Sequence, residues 1–355
     1  MNFVQRRKKV PDRSRVSGIR AAVGTAVVLI LLAACGGSPA QSPGKTAASA
    51  EIALGAPKDG NVSAELALAN SLGYFADEGL NVAIRYFPSA GDLSTAVASG
   101  SINIGAGGTT PTTTLRASGF PAIVLAQLAD ISGAQQVVVG GDIRTAADLK
   151  GRKIGVALGT VSELLGEQFL AKNGLTRNDV AFVNLGATDM ITALNRGDVA
   201  AAAMWEPHAS RAVAQGAHRL ASGTTNFVGG QPSPQRLVGD HAVLFATESW
   251  ANDNASSVKK IITALQKATK YIESDGQDAK KRIGEVLGLQ PNEVDNTFSV
   301  NKYQMQIDDQ LVGDMVTEAQ FLVAKKKVSK MLMPKEWVRT NYLAAVAPNL
   351  VTWQP

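Results

Sequence analysis

The chain has 355 residues, 45% of them hydrophobic, which is enough apolar mass for a large core and a length that fits two domains better than one. A formal charge of +5 would suit a nucleic-acid or anionic-membrane partner if the bases were spread over a folded surface. Residues 1–34 instead hold seven of the 35 bases (Arg6, Arg7, Lys8, Lys9, Arg13, Arg15, Arg20) and one of the 30 acids, Asp12, leaving 28 bases against 29 acids, so a basic nucleic-acid face is not supported.

In chain order, the basic front runs into the apolar stretch Ala21–Ala34, shorter than the ~20 residues a membrane-spanning helix needs and suited to a signal-peptide core. The stretch ends in Leu32-Ala33-Ala34-Cys35-Gly36, which resembles the lipobox of bacterial lipoproteins. That resemblance implies removal of residues 1–34 and a lipid on Cys35. Cys35 is the only cysteine, so no internal disulfide is expected. Residues 36–50, rich in Gly, Ser, Pro and Ala, read as a flexible tether.

The body opens with a strand, Glu51–Ala56, and a helix, Asn61–Leu72. A stop at Gly79-Leu80-Asn81 leads into the strand Val82–Phe87. Ser89-Ala90-Gly91-Asp92 starts a short helix that Gly100 closes, and the strand Ser101–Gly105 follows. The same succession recurs as strand Lys153–Leu158, helix Val161–Lys172, stop Asn173-Gly174-Leu175, strand Val180–Leu185, helix Asp189–Arg196, stop Gly197 and strand Val199–Met204. Gly79 and Gly174 lie 95 residues apart and Gly100 and Gly197 lie 97, so two lobes of like build follow one another. Strands alternating with helices predict an α/β fold with mainly parallel sheets flanked by helices, whose ligands sit beyond the carboxyl ends of the strands.

That rule nominates four loops, 58–61, 107–111, 159–162 and 205–208. The first offers Asp59 and Asn61. The second offers Gly108, Thr109 and Thr110 ahead of Pro111, a capped helix start whose free N–H groups suit an anion. Gly159, Thr160 and Ser162 form another, with Thr160 and Glu163 in capping-box spacing. Each start reads equally as an ordinary cap. Trp205 and Glu206 complete the set, Trp205 as a stacking surface or as core. Asp59, Asp189 and Glu206 near the same mouth would repel an isolated anion, which leaves a zwitterion with its amine near Asp189, or a neutral or cationic aromatic on Trp205, as alternatives. Three histidines without H-x-x-x-H spacing supply no zinc set, there is no G-x-S-x-G elbow, and no cofactor is expected.

Gly73-Tyr74-Phe75 with Glu78-Gly79-Leu80, Asp148-Leu149-Lys150-Gly151 with Ile154-Gly155-Val156, Asp189 through Ala193-Leu194, and Trp205-Glu206-Pro207 together resemble the aliphatic sulfonate, taurine and nitrate substrate-binding proteins of bacterial ABC importers, over about Glu51 to Asp253. Yeast-type thiamine-pyrimidine synthases share that fold. The resemblance implies a two-lobed type II periplasmic-binding-protein fold with lobe one at 51–133 plus 246–355 and lobe two at 134–245. Hinges fall near Asp130–Gly133 and Ala242–Thr247, and the C-terminal tail, including helices Val258–Ile272 and Leu311–Lys325, returns to lobe one with Lys325-Lys326-Lys327 as a solvated helix end. It further implies a monomeric, lipid-anchored extracytoplasmic receptor that hands a solute to a permease and its ATPase. A pyrimidine-synthase-like enzyme and an envelope scaffold lipoprotein are the competing classes.

Overall fold

The computed structural model describes residues 50–355. The signal segment, Cys35 and all but the last residue of the tether lie outside the described residues. β1 (Ile52–Pro57), α1 (Gly60–Ser71), α2 (Tyr74–Asp77), β2 (Val82–Phe87), α3 (Ala90–Ala98), β3 (Ile104–Gly108), α4 (Thr109–Ala117) and β4 (Ala122–Asp130) come first. β5 (Gln135–Val139), β6 (Lys153–Val156), α5 (Val161–Lys172), β7 (Ala181–Asn184), α6 (Ala187–Arg196), β8 (Ala201–Trp205), α7 (His208–Ala214), β9 (His218–Ser222), β10 (Thr225–Asn226) and β11 (Ser233–Pro234) form a second group. The chain closes with β12 (His241–Thr247), α8 (Glu248–Asp253), α9 (Ala255–Ser274), α10 (Gly276–Leu287), α11 (Pro291–Val300), β13 (Lys302–Gln306), α12 (Asp309–Ala324) and α13 (Thr340–Ala344).

Two sheets result, one ordered β13-β4-β12-β3-β1-β2 and the other β11-β10-β9-β5-β8-β6-β7. The βαβ repeats read from the sequence form the parallel parts, β2-β1-β3 and β7-β6-β8. The repeat-marking stops Gly100 and Gly197 both take left-handed φ, 76° and 73°, which a side chain would disfavour. The remaining strands pair antiparallel: β12 with β3 and β4, and β5 with β8 and β9. They are the strands by which the chain enters and leaves each lobe, so their direction is set by the crossings and not by a βαβ turn.

The first crossing between the sheets falls at residues 131–134. The second lies at 235–240, ahead of the expected Ala242–Thr247, because β12 is already a central strand of the first sheet from His241 onward. The tail also departs from expectation. α9 to α11, β13 and α13 pack on lobe one, yet the end of α12 reaches lobe two, where Phe321, Leu322 and Val328 join the core built on Val156, Leu165 and Phe169. Lys325 is ion-paired with Glu167 and lies 3.7 Å from Glu163, both on α5, so the lysine run is in part a cross-lobe contact and not a solvated end.

Two glycines are held against backbone at the first crossing. A Cβ on Gly223 would stand 2.2 Å from the carbonyl oxygen of Ser132, and one on Gly133 2.3 Å from that of Val300. Backbone blocks both, so Gly223→Ala and Gly133→Ala should each cost about 1–3 kcal/mol, read as a lower urea midpoint. Gly276→Ala, with nothing within 4 Å, should leave the midpoint equal or higher.

Candidate functional site

The cleft between the lobes holds a cavity of about 870 Å³ whose wall draws on both: Asp59, Asn61, Gly108 and Thr110 from lobe one, Gly159, Thr160 and Trp205 from lobe two. These seven of the nominated residues come together because β1, β3, β6 and β8 all end at the cleft.

The helix starts that follow β1, β3 and β6 stand on the wall, and their chemistry differs. Asp59 caps α1, its Oδ1 accepting from the amides of Asn61 (2.9 Å) and Val62 (3.0 Å), so that start already holds a carboxylate. Burial pushes the Asp59 pKa up to about 6 against the pull of those two amides. At α5, Thr160 accepts from Ser162 N at 3.2 Å and Glu163 accepts from Gly159 N at 2.7 Å, which uses the amide that the sequence left free. α4 begins at Thr109 with Gly108 as N-cap and no side-chain cap, which leaves its dipole unmatched by any carboxylate of its own.

Four nominated residues are not on the wall. Thr109 is fully buried behind it and donates to Glu318 Oε1 at 2.7 Å, with Asp240 Oδ1 at 3.4 Å. Ser162 is fully buried, its hydroxyl donating to Ala203 O and accepting from Ala157 N, so it ties the loop to β8. Glu206 is 0% exposed and its carboxylate is spent on Arg219 (3.1 Å), Gln136 (2.9 Å) and Ser210 N (3.1 Å). Asp189 is exposed in the first turn of α6. The buried face of that helix is Met190, Ile191, Ala193 and Leu194, which turns Asp189 away from the core and leaves it off the cavity wall. The feared ring of three repelling acids therefore reduces to Asp59.

Other wall residues were not nominated. Lys58 sits beside Asp59, Gln135 opens β5 and Asp240 ends the second crossing. Gln135 Nε2 donates to Asp240 Oδ2 at 2.8 Å, and its Oε1 has no partner among the described residues. Asp240 and Glu318, bridged by Thr109, are both pushed upward by burial and, for Glu318, by the neighbouring Asp240 charge. On α7, His208 stands edge-on to Trp205 (centroids 5.7 Å apart, 82°) with Nδ1 unpartnered among the described residues; burial, then Arg211, lowers its pKa, so it is neutral near pH 7. Arg211, one turn on, faces the same cavity and donates Nε to Glu293 Oε1 of lobe one at 2.6 Å. Burial opposes ionisation of Glu293, yet Arg211 and the Gln290 amide hold its carboxyl below the usual range. His208 closes the 205–208 loop, and Arg211 follows at i+3 on the same helix face, one turn beyond the stretch that the strand-end rule reaches.

Arg211–Glu293 ties one lobe to the other across the cleft. Asn61 makes a further tie: its Nδ2 donates to Glu206 O at 2.8 Å while its Oδ1 accepts from Asn301 Nδ2 at 3.0 Å. A cavity walled from both lobes, mainly apolar with a few polar groups among its lining, has the form of a ligand-enclosing site.

The lobes, crossings and interlobe cavity define a type II periplasmic-binding-protein fold. The NMT1/THI5-like family model matches residues 61–279, more than half of the chain, and the chain belongs to that family. The alkanesulfonate-binding protein SsuA from Xanthomonas axonopodis pv. citri, solved with bound MOPS, superposes with a TM-score of 0.67 at 23% identity, covering 82% of this chain and 98% of that one. A candidate aliphatic sulfonates-binding protein of Escherichia coli K12 is 25% identical over 205 residues, 57% of this chain; the match spans 61% of that relative's length. The 4-amino-5-hydroxymethyl-2-methylpyrimidine phosphate synthase THI13 of Saccharomyces cerevisiae is 23% identical over 242 residues, 67% of this chain and 70% of its own.

Proposed function

We propose that the chain is the extracytoplasmic solute receptor of an ABC importer, capturing a small organic anion or zwitterion of alkanesulfonate or taurine type by closing its lobes and passing it to a permease driven by a separate ATPase. The observation that carries the reading is the interlobe cavity itself, with a guanidinium, an ammonium and an uncapped helix start on its wall. Arg211 has only its Nε committed in the bonds described, so its remaining N–H groups are available to a sulfonate or carboxylate. Gly108, Thr110, Gly159, Thr160 and Trp205 are its contact surface, and Asp59 and Asp240 take the place of Asp189 as partners for an amine. The sulfonate-binding relatives support this choice of head group. The receptor acts as a monomer, held to the membrane by the lipid on Cys35.

Trp205 on the wall favours a second solute class, an aromatic such as a thiamine-precursor pyrimidine stacked on the indole. Thermal melting against taurine, alkanesulfonates, nitrate and such a pyrimidine separates the two. A captured solute at a hundredfold excess over its Kd adds about 2.7 kcal/mol and raises the melting temperature without being consumed. Turnover of a substrate would make the chain an enzyme like its synthase relative; no shift and no turnover would favour an envelope scaffold.

A further inference from the structure

Three connections between the lobes meet behind the cavity wall. Gln135 opens β5 just past the first crossing, Asp240 ends the second, and Glu318 stands on α12, whose end reaches lobe two. Thr109, at the start of α4, lies between the two acids, its Oγ1 2.7 Å from Glu318 Oε1 and 3.4 Å from Asp240 Oδ1. All four residues are at most 4% exposed, yet Gln135 and Asp240 reach the cavity.

The carboxyl oxygens of this cluster are short of donors. Thr109 carries a single hydroxyl proton, which the shorter contact assigns to Glu318 Oε1, and Gln135 Nε2 donates to Asp240 Oδ2 at 2.8 Å. Glu318 Oε2 has no partner among the described residues, nor has Gln135 Oε1. Two buried carboxylates on one hydroxyl repel each other strongly in a low dielectric, which favours holding one of them neutral. Burial raises the pKa of both. His241 pulls Asp240 back and Asp130 adds to its rise, while Asp240 and Asp314 add to that of Glu318. The cations facing the pair are committed to other acids: His241 Nε2 lies 2.8 Å from Asp314 Oδ2, and Arg236 pairs with Asp314 and, at 3.6 Å, with Asp130. An added proton supplies the missing donor, because a neutral Asp240 can donate to Thr109 Oγ1 while Thr109 donates to Glu318.

Since Asp240 is on the wall, the charge of the pair and that of the solute are coupled. An ionised Asp240 repels an anion in the cavity and a neutral one does not; by reciprocity, a bound anion strengthens the pair's hold on a proton. A zwitterion with its ammonium at Asp240 brings its own positive charge and needs no added proton.

We propose that Asp240 and Glu318, bridged by Thr109 where the lobe connections meet, form a proton-sharing pair that fits the cavity to an organic anion, so that an amine-free anion is captured together with a proton. The proposal rests on the receptor reading above.

It is tested by calorimetric titration of the mature chain with ethanesulfonate, butanesulfonate and butyrate at pH 8, in Tris and in triethanolamine, amine buffers that offer no competing organic anion and whose different ionisation heats report proton exchange. At that pH Asp59, with a pKa of about 6, is ionised and His208 is neutral, so the pair is the group on the wall poised to exchange a proton. The wild type should take up about 0.5 proton per anion bound, and its affinity should fall about five- to tenfold from pH 7 to pH 9. In Asp240→Asn combined with Glu318→Gln, whose amides keep the shape and do not titrate, the uptake should vanish and the affinity should be equal at the two pH values. Glu318→Gln alone should at least halve the uptake, and melting of the solute-free variants checks that they fold. Wild-type affinity that does not change with pH, or proton uptake that persists in the double variant, overturns the proposal and leaves the receptor reading in place. If none of the three anions binds the wild type, the organic-anion receptor reading falls and the proposal with it.

Discussion

Glu65→Gln should make the protein more stable than the wild type at pH 8, by about 4–5 kcal/mol, and about equal to it at pH 4. Glu65 lies in α1, whose residues Gly60–Ala69 are all buried; it is 0% exposed, and neither carboxyl oxygen has a hydrogen-bond partner among the described residues. Burial pushes its pKa from 4.5 to about 8. Below pH 4.5 the group is neutral in the folded and unfolded chain alike, and its contribution is fully present. As pH rises from 4.5 to 8 the unfolded chain gives up a proton that the fold retains, so stability falls by about 1.4 kcal/mol per pH unit and levels off above 8. Glutamine has the same shape and does not titrate. Urea unfolding at pH 4, 6 and 8 checks the point, and parallel profiles for variant and wild type would contradict it.

The second large effect is expected at Arg211, and it falls on binding and not on folding. Arg211→Ala removes a guanidinium from the wall and also frees the Glu293 carboxylate, which it holds at 2.6 Å. An anionic solute then loses a charge-assisted bond and gains a repelling neighbour, a combined loss of about 2–4 kcal/mol, or about 30- to 1,000-fold in affinity. The ion pair contributes little to stability, since the Arg211 side chain is 44% exposed and screened by solvent. The melting temperature of the solute-free variant should therefore stay within about two degrees of the wild type. Arg211→Ala combined with Glu293→Gln should recover part of the affinity by removing the unpaired carboxylate. A single variant that binds organic anions as tightly as the wild type would remove Arg211 from the site.

Much of this fold is legible in the sequence because its repeat is written in local chemistry: a capped helix start, an apolar face, a glycine stop and a short strand, twice over. The four loops follow from that order, and seven of the eleven nominated residues stand on one wall as a result. Helix phase accounts for the loss of Asp189, and it could have been read from Met190 and Leu194. Ser162, Thr109 and Glu206 have polar groups that the local sequence leaves free and the tertiary structure consumes; their partners Ala203, Glu318 and Arg219 are 41, 209 and 13 residues away. No local pattern names such partners. The same holds for the antiparallel strands at the crossings and for the end of α12, where an apolar Phe321-Leu322 pair could serve either lobe until the neighbouring surfaces are placed. Arg211 lies one turn beyond a nominated loop, and its place on the wall depends on how α7 is set against the cleft.

Trp205 gives the most direct test of solute capture, because it is the tryptophan on the lobe-two wall of the cavity. Emission is followed while the mature wild type and its Trp205→Phe variant are titrated with the organic anions that raise the melting temperature. Closure of the lobes around a solute predicts a saturable change in emission at one solute per chain that is lost in Trp205→Phe, although Trp250, Trp337 and Trp353 remain. Emission that no solute moves, or a change that survives intact in the variant, would contradict capture in the interlobe cavity.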